Sequence, residues 1–218
     1  MAGRTGTWTG LVIRVVTVAS LLCLLVLVLY LPSVHPPQRF LAQMRIEHQT
    51  MTAFWGDGPA SRILSRALSM QDSAREATPV PSASDAPPSS TMDSVVAQEM
   101  TSLNQRLFNN AYFRSIDALV LLASYRLSTL LEWLPWLAAF CVAALVDGGV
   151  VRMLKSREFR HHDPELFAVF TCLAIVAACA AVVGLVVPVT LHPLAMAAVP
   201  LLMSLLLGRA LANFHRRA

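Results

Sequence analysis

Apolar positions fall into four long blocks, separated by polar stretches of very unequal length. The first block runs from about Leu11 to Leu31. That is about the 20 residues a helix needs to cross a bilayer core. Arg14, near its start, can snorkel to the headgroups. No small-x-small site closes the block; Leu-Pro-Ser-Val-His-Pro-Pro-Gln follows, so an uncleaved anchor is expected rather than a removed signal peptide. The third block runs from about Leu166 to Val187 and the fourth from about Leu194 to Leu211. Asp163-Pro164 supplies a start signal for the third, and Pro188 to Pro193 forms a tight turn between the two. Pro200 is expected to kink the fourth span by freeing the carbonyl of Met196.

The second block, Ile116 to Val151, is too long for one simple span and contains Arg126 and Glu132. Placing either charge at mid-bilayer costs about 2.5–3.5 kcal/mol. The expected division is therefore a span from about Leu134 to Arg152, preceded by an amphipathic helix. Trp133 and Trp136 then lie at the interface, and Pro135 falls in the first turn.

Between the first and second blocks lies a long polar region, Pro32 to Arg114. Phe40 to Met70 carries apolar residues at mixed helical spacing, broken at Gly56-Asp57-Gly58-Pro59. Within it, Ile63, Leu64, Ala67 and Leu68 make a short stripe opposite Arg62 and Arg66. Thr78 to Thr91 is a Pro/Ser/Ala linker that cannot bury enough apolar surface to order itself. Helical patterning then resumes, with Leu103, Leu107, Phe108, Ala111, Ile116 and Leu119 on an apolar side.

Composition agrees with this pattern. Of 218 residues, 56% are hydrophobic and 14% charged, against about 25% charged in soluble domains; the mean hydropathy is +0.57. A disordered chain and an ordinary soluble domain are excluded on that balance. The 13 Pro and 9 Gly lack a collagen period, and four Cys are too few for a disulfide scaffold. The formal charge of +4 reflects basic residues at the ends of apolar blocks, not a nucleic-acid surface. Arg4 and Arg14, then Arg152, Lys155, Arg157 and Arg160, then Arg209, Arg216 and Arg217 mark one side, and the turn after the third block has no Lys or Arg. Both termini are thus expected in the cytoplasm.

The expected fold is all-α: a polytopic membrane protein with about four transmembrane helices in one bundle and a partly helical, partly disordered extracytoplasmic region. Residues 1–31 form the cytoplasmic N-terminus and first span. Residues 32–133 form the outside region, with linker 78–91 and an amphipathic helix at about 95–131. Residues 134–218 form three spans with a basic cytoplasmic loop at 152–165. Ala139/Ala143, Ala144/Gly148, Ala177/Ala181, Ala180/Gly184 and Ser204/Gly208 are small residues four apart, suited to close helix packing.

Candidate chemistry is sparse. Cys23, Cys141, Cys172 and Cys179 all lie in apolar blocks and read as small packing residues. Asp147 closes the second span beside Gly148 and Gly149; an ionised group there needs a partner, and Arg152, Lys155 or Arg209 could pair with it to fix helix packing. A binding or transport role is the alternative. Glu158 to Glu165 contains His161 and His162, but adjacent histidines point about 100° apart on a helix and meet at one ion only in a loop. A solvated basic loop or partner surface fits better than a metal site. His192, between prolines, reads as a plain turn residue. There is no phosphate loop, H-E-x-x-H or G-x-S-x-G motif, so no enzyme and no cofactor are expected.

One segment carries a resemblance. Leu145 to Phe167 reads LVDGGVVRMLKSREFRHHDPELF, after Glu132-Trp133-Leu134-Pro135-Trp136 and before a span ending at Pro188. This layout resembles the membrane proteins of unknown molecular function carried by integrating conjugative elements and related conjugative plasmids. In that family the second span ends in an Asp-Gly-x-x-x-Arg-like motif, followed by a basic stretch with a Glu and a His. The matching positions are Asp147, Gly148, Arg152, Glu158 and His161 or His162. The family's glycine-rich stretch before the Glu is replaced by Lys155-Ser156-Arg157, and linker 78–91 has no counterpart. The resemblance implies an accessory part of a type IV secretion machine for DNA transfer, in the bacterial inner membrane. Its partners would be the lipid bilayer, other envelope proteins of the conjugative apparatus or further copies of itself, with no direct nucleic-acid binding. A small transporter or channel, or a protein that blocks uptake of a like element, is the competing expectation.

Overall fold

The computed structural model describes residues 2–77, 111–157 and 163–214. Among these residues there are six helices and no strand: α1 (Ala2–Val34), α2 (Pro37–Trp55), α3 (Asp57–Ala77), α4 (Ala111–Arg157), α5 (Pro164–Val186) and α6 (Pro193–Asn213). Segments Gly10–Val34, Tyr112–Arg157, Pro164–Val186 and Pro193–Asn213 are long and apolar enough to cross a membrane. The protein is an all-α polytopic membrane protein.

Helix starts follow local chemistry. Pro37, Pro164 and Pro193 each stand in a first turn, where a missing N–H costs nothing. At α6, His192 Nδ1 also accepts from the Leu194 backbone N–H at 3.3 Å. The break expected at residues 56–59 is a single residue wide. Gly56 adopts φ +83, a left-handed conformation that glycine reaches without strain, and its N–H donates to the Thr52 carbonyl at 2.8 Å.

Helix α4 corrects one expectation. The amphipathic helix and the span were to be separate, with Pro135 in the span's first turn. Instead, Ala111 to Arg157 is one helix of 47 residues with Pro135 inside it. Such a helix is about 70 Å long, roughly twice the thickness of a hydrocarbon core. Pro135 removes one backbone hydrogen bond but sits on an exposed face among good helix formers, so the helix continues. The onset expected near residue 95, and linker 78–91, lie outside the described residues.

The chain divides into two compact units. The apolar unit contains α1 up to Leu29, α4 from Thr129, α5 and α6. Its buried positions are mostly small, including Ala168, Ala174, Ala197, Ala210 and Ala212, while Leu22, Val26, Val142, Val169 and Leu202 point outward. Large apolar side chains outside and small ones inside are what a lipid solvent permits.

The second, polar-cored unit contains the end of α1, α2, α3, α4 as far as Ser128, and Pro188–Thr190. Phe40, Gln43, Glu47 and Met51 form the buried stripe of α2. Ala60, Ile63, Ala67 and Gln71 form that of α3. Tyr125 from α4 joins Met51, Ala60, Ile63 and Ala67 in one cluster, with Met44, Trp55 and Leu64 packed against it. Of the stripe expected from sequence, Ile63 and Ala67 are buried and Leu64 packs, but Leu68 is exposed.

Candidate functional site

The end of α4 carries the residues that the sequence singled out. Gly148 is buried against α6: a Cβ built there would overlap the Gly208 carbonyl oxygen, and one built on Gly208 would lie 2.6 Å from the Ala144 carbonyl oxygen. Only hydrogens fit between these backbones. The pair Ala144/Gly148 thus meets Gly208, as small-x-x-x-small pairs do where helices touch. Gly184 differs, since a Cβ there meets nothing within 4 Å.

Asp147 lies beside that contact, about 100° around the helix from Gly148, and is exposed. It has no ion-pair partner among the described residues, so the pairing with Arg152, Lys155 or Arg209 is not what the structure shows. Helix phase supplies the reason: residues five apart lie about 140° apart around the axis, which aims Arg152 elsewhere. The Arg152 guanidinium sits over the Phe214 ring, 4.8 Å from its centroid. Phe167 meets the same ring at a tilt of 58°, with 5.4 Å between centroids. Lys155 Nζ donates to Asn213 Oδ1 at 2.7 Å, and Asn213 Nδ2 donates to the Arg209 carbonyl at 3.0 Å. These contacts tie the C-terminal ends of α4 and α6 to the start of α5. Glu158, His161 and His162 lie outside the described residues.

A second constellation went unrecognised in the sequence. In the polar-cored unit, Arg126 is 1% exposed and Glu47 6% exposed. Arg126 Nε donates to Glu47 Oε2 at 3.0 Å, and Nη2 donates to Glu47 Oε1. The two parallel bonds use the full fork of the guanidinium. Nη2 also donates to the Val189 carbonyl at 2.6 Å, and Gln43 Nε2 donates to Glu47 Oε1 at 3.0 Å. His48 Nδ1 lies 3.3 Å from Tyr125 Oη beside this pair. Arg66, expected on a solvated face, reaches the Ser128 carbonyl at 3.4 Å, and Gln71 Nε2 donates to Asp117 Oδ1 at 3.0 Å. Apart from the Gln43–Glu47 bond within α2, each of these contacts joins α2 or α3 to α4, or α4 to the segment before α6. A carboxylate enclosed by donors in this way holds helices in register.

The apolar unit also carries an apolar groove. Val12 and Val16 of α1, with Ala168, Val169, Cys172, Leu173 and Val176 of α5, line this groove of about 330 Å³. The four cysteines are free thiols, and Cys141 Sγ lies 3.7 Å from the Pro200 carbonyl oxygen.

Residues 60–215 match the DtrJ-like family, described as IncC plasmid conjugative DNA transfer proteins. The chain belongs to this family. No curated protein and no solved structure matches it. The DtrJ-like match begins within α3 and takes in the Gly148–Gly208 contact, Asp147, Arg126 and the Asp147–His162 segment that carried the resemblance to conjugative-element proteins. Glu47, the partner of Arg126, precedes the DtrJ-like segment. The family links the protein to conjugative DNA transfer.

Proposed function

We propose that this protein is a non-enzymatic inner-membrane component of a conjugative type IV secretion apparatus, acting in assembly or partner contacts. The observation that carries the reading is the DtrJ-like match over residues 60–215. The architecture supports an assembly role. The apolar unit is packed through glycine and alanine, and the buried charges of the polar-cored unit, Arg126 and Glu47, are spent on each other. In this reading both termini are cytoplasmic and the polar-cored unit is extracytoplasmic, because the basic residues cluster at the ends of α4 and α6.

Deleting the gene is expected to lower transfer of its element from donor cells while growth is unchanged. Transfer at the parental frequency, together with a defect in solute uptake, would replace the reading with a transporter. Orientation is tested by labelling: a Cys placed at Ser69 should react with an impermeant reagent in spheroplasts and one at Ser156 should not. The reverse pattern overturns the topology.

A further inference from the structure

Helix α4 has two contrasting faces in the apolar unit. Ala144 and Gly148 meet Gly208 of α6 on one of them. Trp136, Ala139, Phe140, Ala143, Asp147, Val150 and Leu154 are all exposed and lie on the other. Trp136, Phe140, Ala143, Asp147, Val150 and Leu154 are spaced four, three, four, three and four apart. That is the spacing of a seam between paired helices. Trp136 is 80% exposed. Ala139 and Ala143 are a small pair where a neighbouring backbone can approach.

A lipid face explains the apolar members of this row but not Asp147. A carboxylate within reach of hydrocarbon is costly, and such residues ordinarily face a partner. Asp147 has no ion-pair partner among the described residues, and the seam holds no cation. A second copy in parallel register would set carboxylate against carboxylate, which repels. The occupant with complementary charge is a different helix with a Lys or Arg at the depth of Asp147.

We infer that the Trp136–Leu154 face of α4 is a docking seam for a membrane-spanning helix of another protein, with Asp147 pairing to a basic residue on that helix. This inference rests on the assembly reading and names the surface through which assembly occurs. The seam is centred about 100° around the α4 axis from the Gly148–Gly208 contact, so α4 can hold both neighbours at once.

The test is photocrosslinking in intact donor cells, with p-benzoylphenylalanine at Ala143 or Val150 and at exposed Val18 of α1 as a lipid-facing control. The seam positions should crosslink to peptides from one membrane-spanning segment of a heterologous protein, a segment with Lys or Arg. Asp147→Asn should lower that yield at least about tenfold at unchanged abundance of the chain. Trp136→Ala should lower it as well. Asp147→Lys combined with Asp at the partner's basic position should restore it. Crosslinks to lipid alone, as at Val18, would overturn the inference, as would crosslinks to a second copy. A yield unaffected by Asp147→Asn, or a fall in chain abundance on that substitution, would equally overturn it. Crosslinking is read independently of DNA transfer. A null deletion phenotype with a charge-dependent crosslink would therefore sink the conjugation reading alone.

Discussion

In the apolar unit, large side chains face outward and helices meet through glycine and alanine; in the polar-cored unit, α2 and α3 turn Phe40, Met51, Ile63 and Ala67 inward and leave Arg62, Ser65, Ser69 and Asp72 outside. The two also treat charge differently. Arg126 and Glu47 are desolvated and forked together. Arg152 is only half-buried, and its positive charge rests on an aromatic face. One chain thus uses two rules of cohesion, and α4 obeys both, changing from one to the other near Ser128. Where water is the solvent, burying apolar area drives packing. Where lipid is the solvent that drive is lost, and close backbone approach takes its place.

The largest effect should come from breaking the buried pair. Arg126→Met leaves the Glu47 carboxylate enclosed without its guanidinium, and Glu47→Gln leaves the cation without a counter-charge. Either is expected to destabilise the polar-cored unit by about 3–5 kcal/mol. The double variant Glu47→Leu/Arg126→Met should lose far less, because no uncompensated charge remains. Proteolysis of α2 and α3 in detergent, followed against temperature, reads the difference. Single variants that cost under about 1 kcal/mol would mean that the pair is hydrated, and the contrast between the units would fail.

The second effect is on backbone approach in the apolar unit. Gly148→Leu must push α4 from α6 and is expected to cost about 1–3 kcal/mol, seen as a lower thermal midpoint in detergent. Gly184→Ala is the control: its Cβ has open space. Replacing a helical glycine there should be neutral or stabilising by up to about 1 kcal/mol. Equal losses from both substitutions would show that glycine acts through flexibility and not through contact.

Much of this contrast is readable in the sequence. The span limits follow from block length and from Asp163-Pro164 and Pro193, which act within a turn of themselves. Pro135 misled because proline marks a helix start or a tolerated interior position equally well, and only the exposed face on which it sits decides. The Glu47–Arg126 pair joins residues 79 apart and has no local signature. Its faint trace is that Glu47 shares a helical stripe with Phe40 and Met51, which puts an acid on an apolar face. Arg126 was visible as an expensive charge, but its partner was not. For Asp147, position was legible and pairing was not; the phase of residues 147 and 152 argued against a contact that their proximity in sequence favoured.

The smallest effect distinguishes the charge that is stacked from the charge that is forked. Arg152 lies over Phe214, while Phe167 covers another part of that ring. A cation–π pair that keeps contact with solvent is worth about 0.5–1 kcal/mol. Phe214→Leu keeps an apolar contact with Phe167 but removes the quadrupole, so it should cost about that much. Arg152→Gln should cost a similar amount, and the double variant should cost little more than either alone. The coupling is the measured quantity, because each single substitution also changes packing. Arg152→Lys should recover part of it, since a point charge is still attracted to the ring but cannot lie flat on it. The corresponding Arg126→Lys should recover almost none of the larger loss, because an ammonium cannot supply two parallel bonds to Glu47 and a third to Val189. Thermal midpoints of these five variants, with Arg126→Met as the reference for the larger loss, give both comparisons in one detergent. Strictly additive losses at Arg152 and Phe214 would reduce that contact to simple covering of apolar surface and leave the buried pair as the one place where charge geometry sets stability.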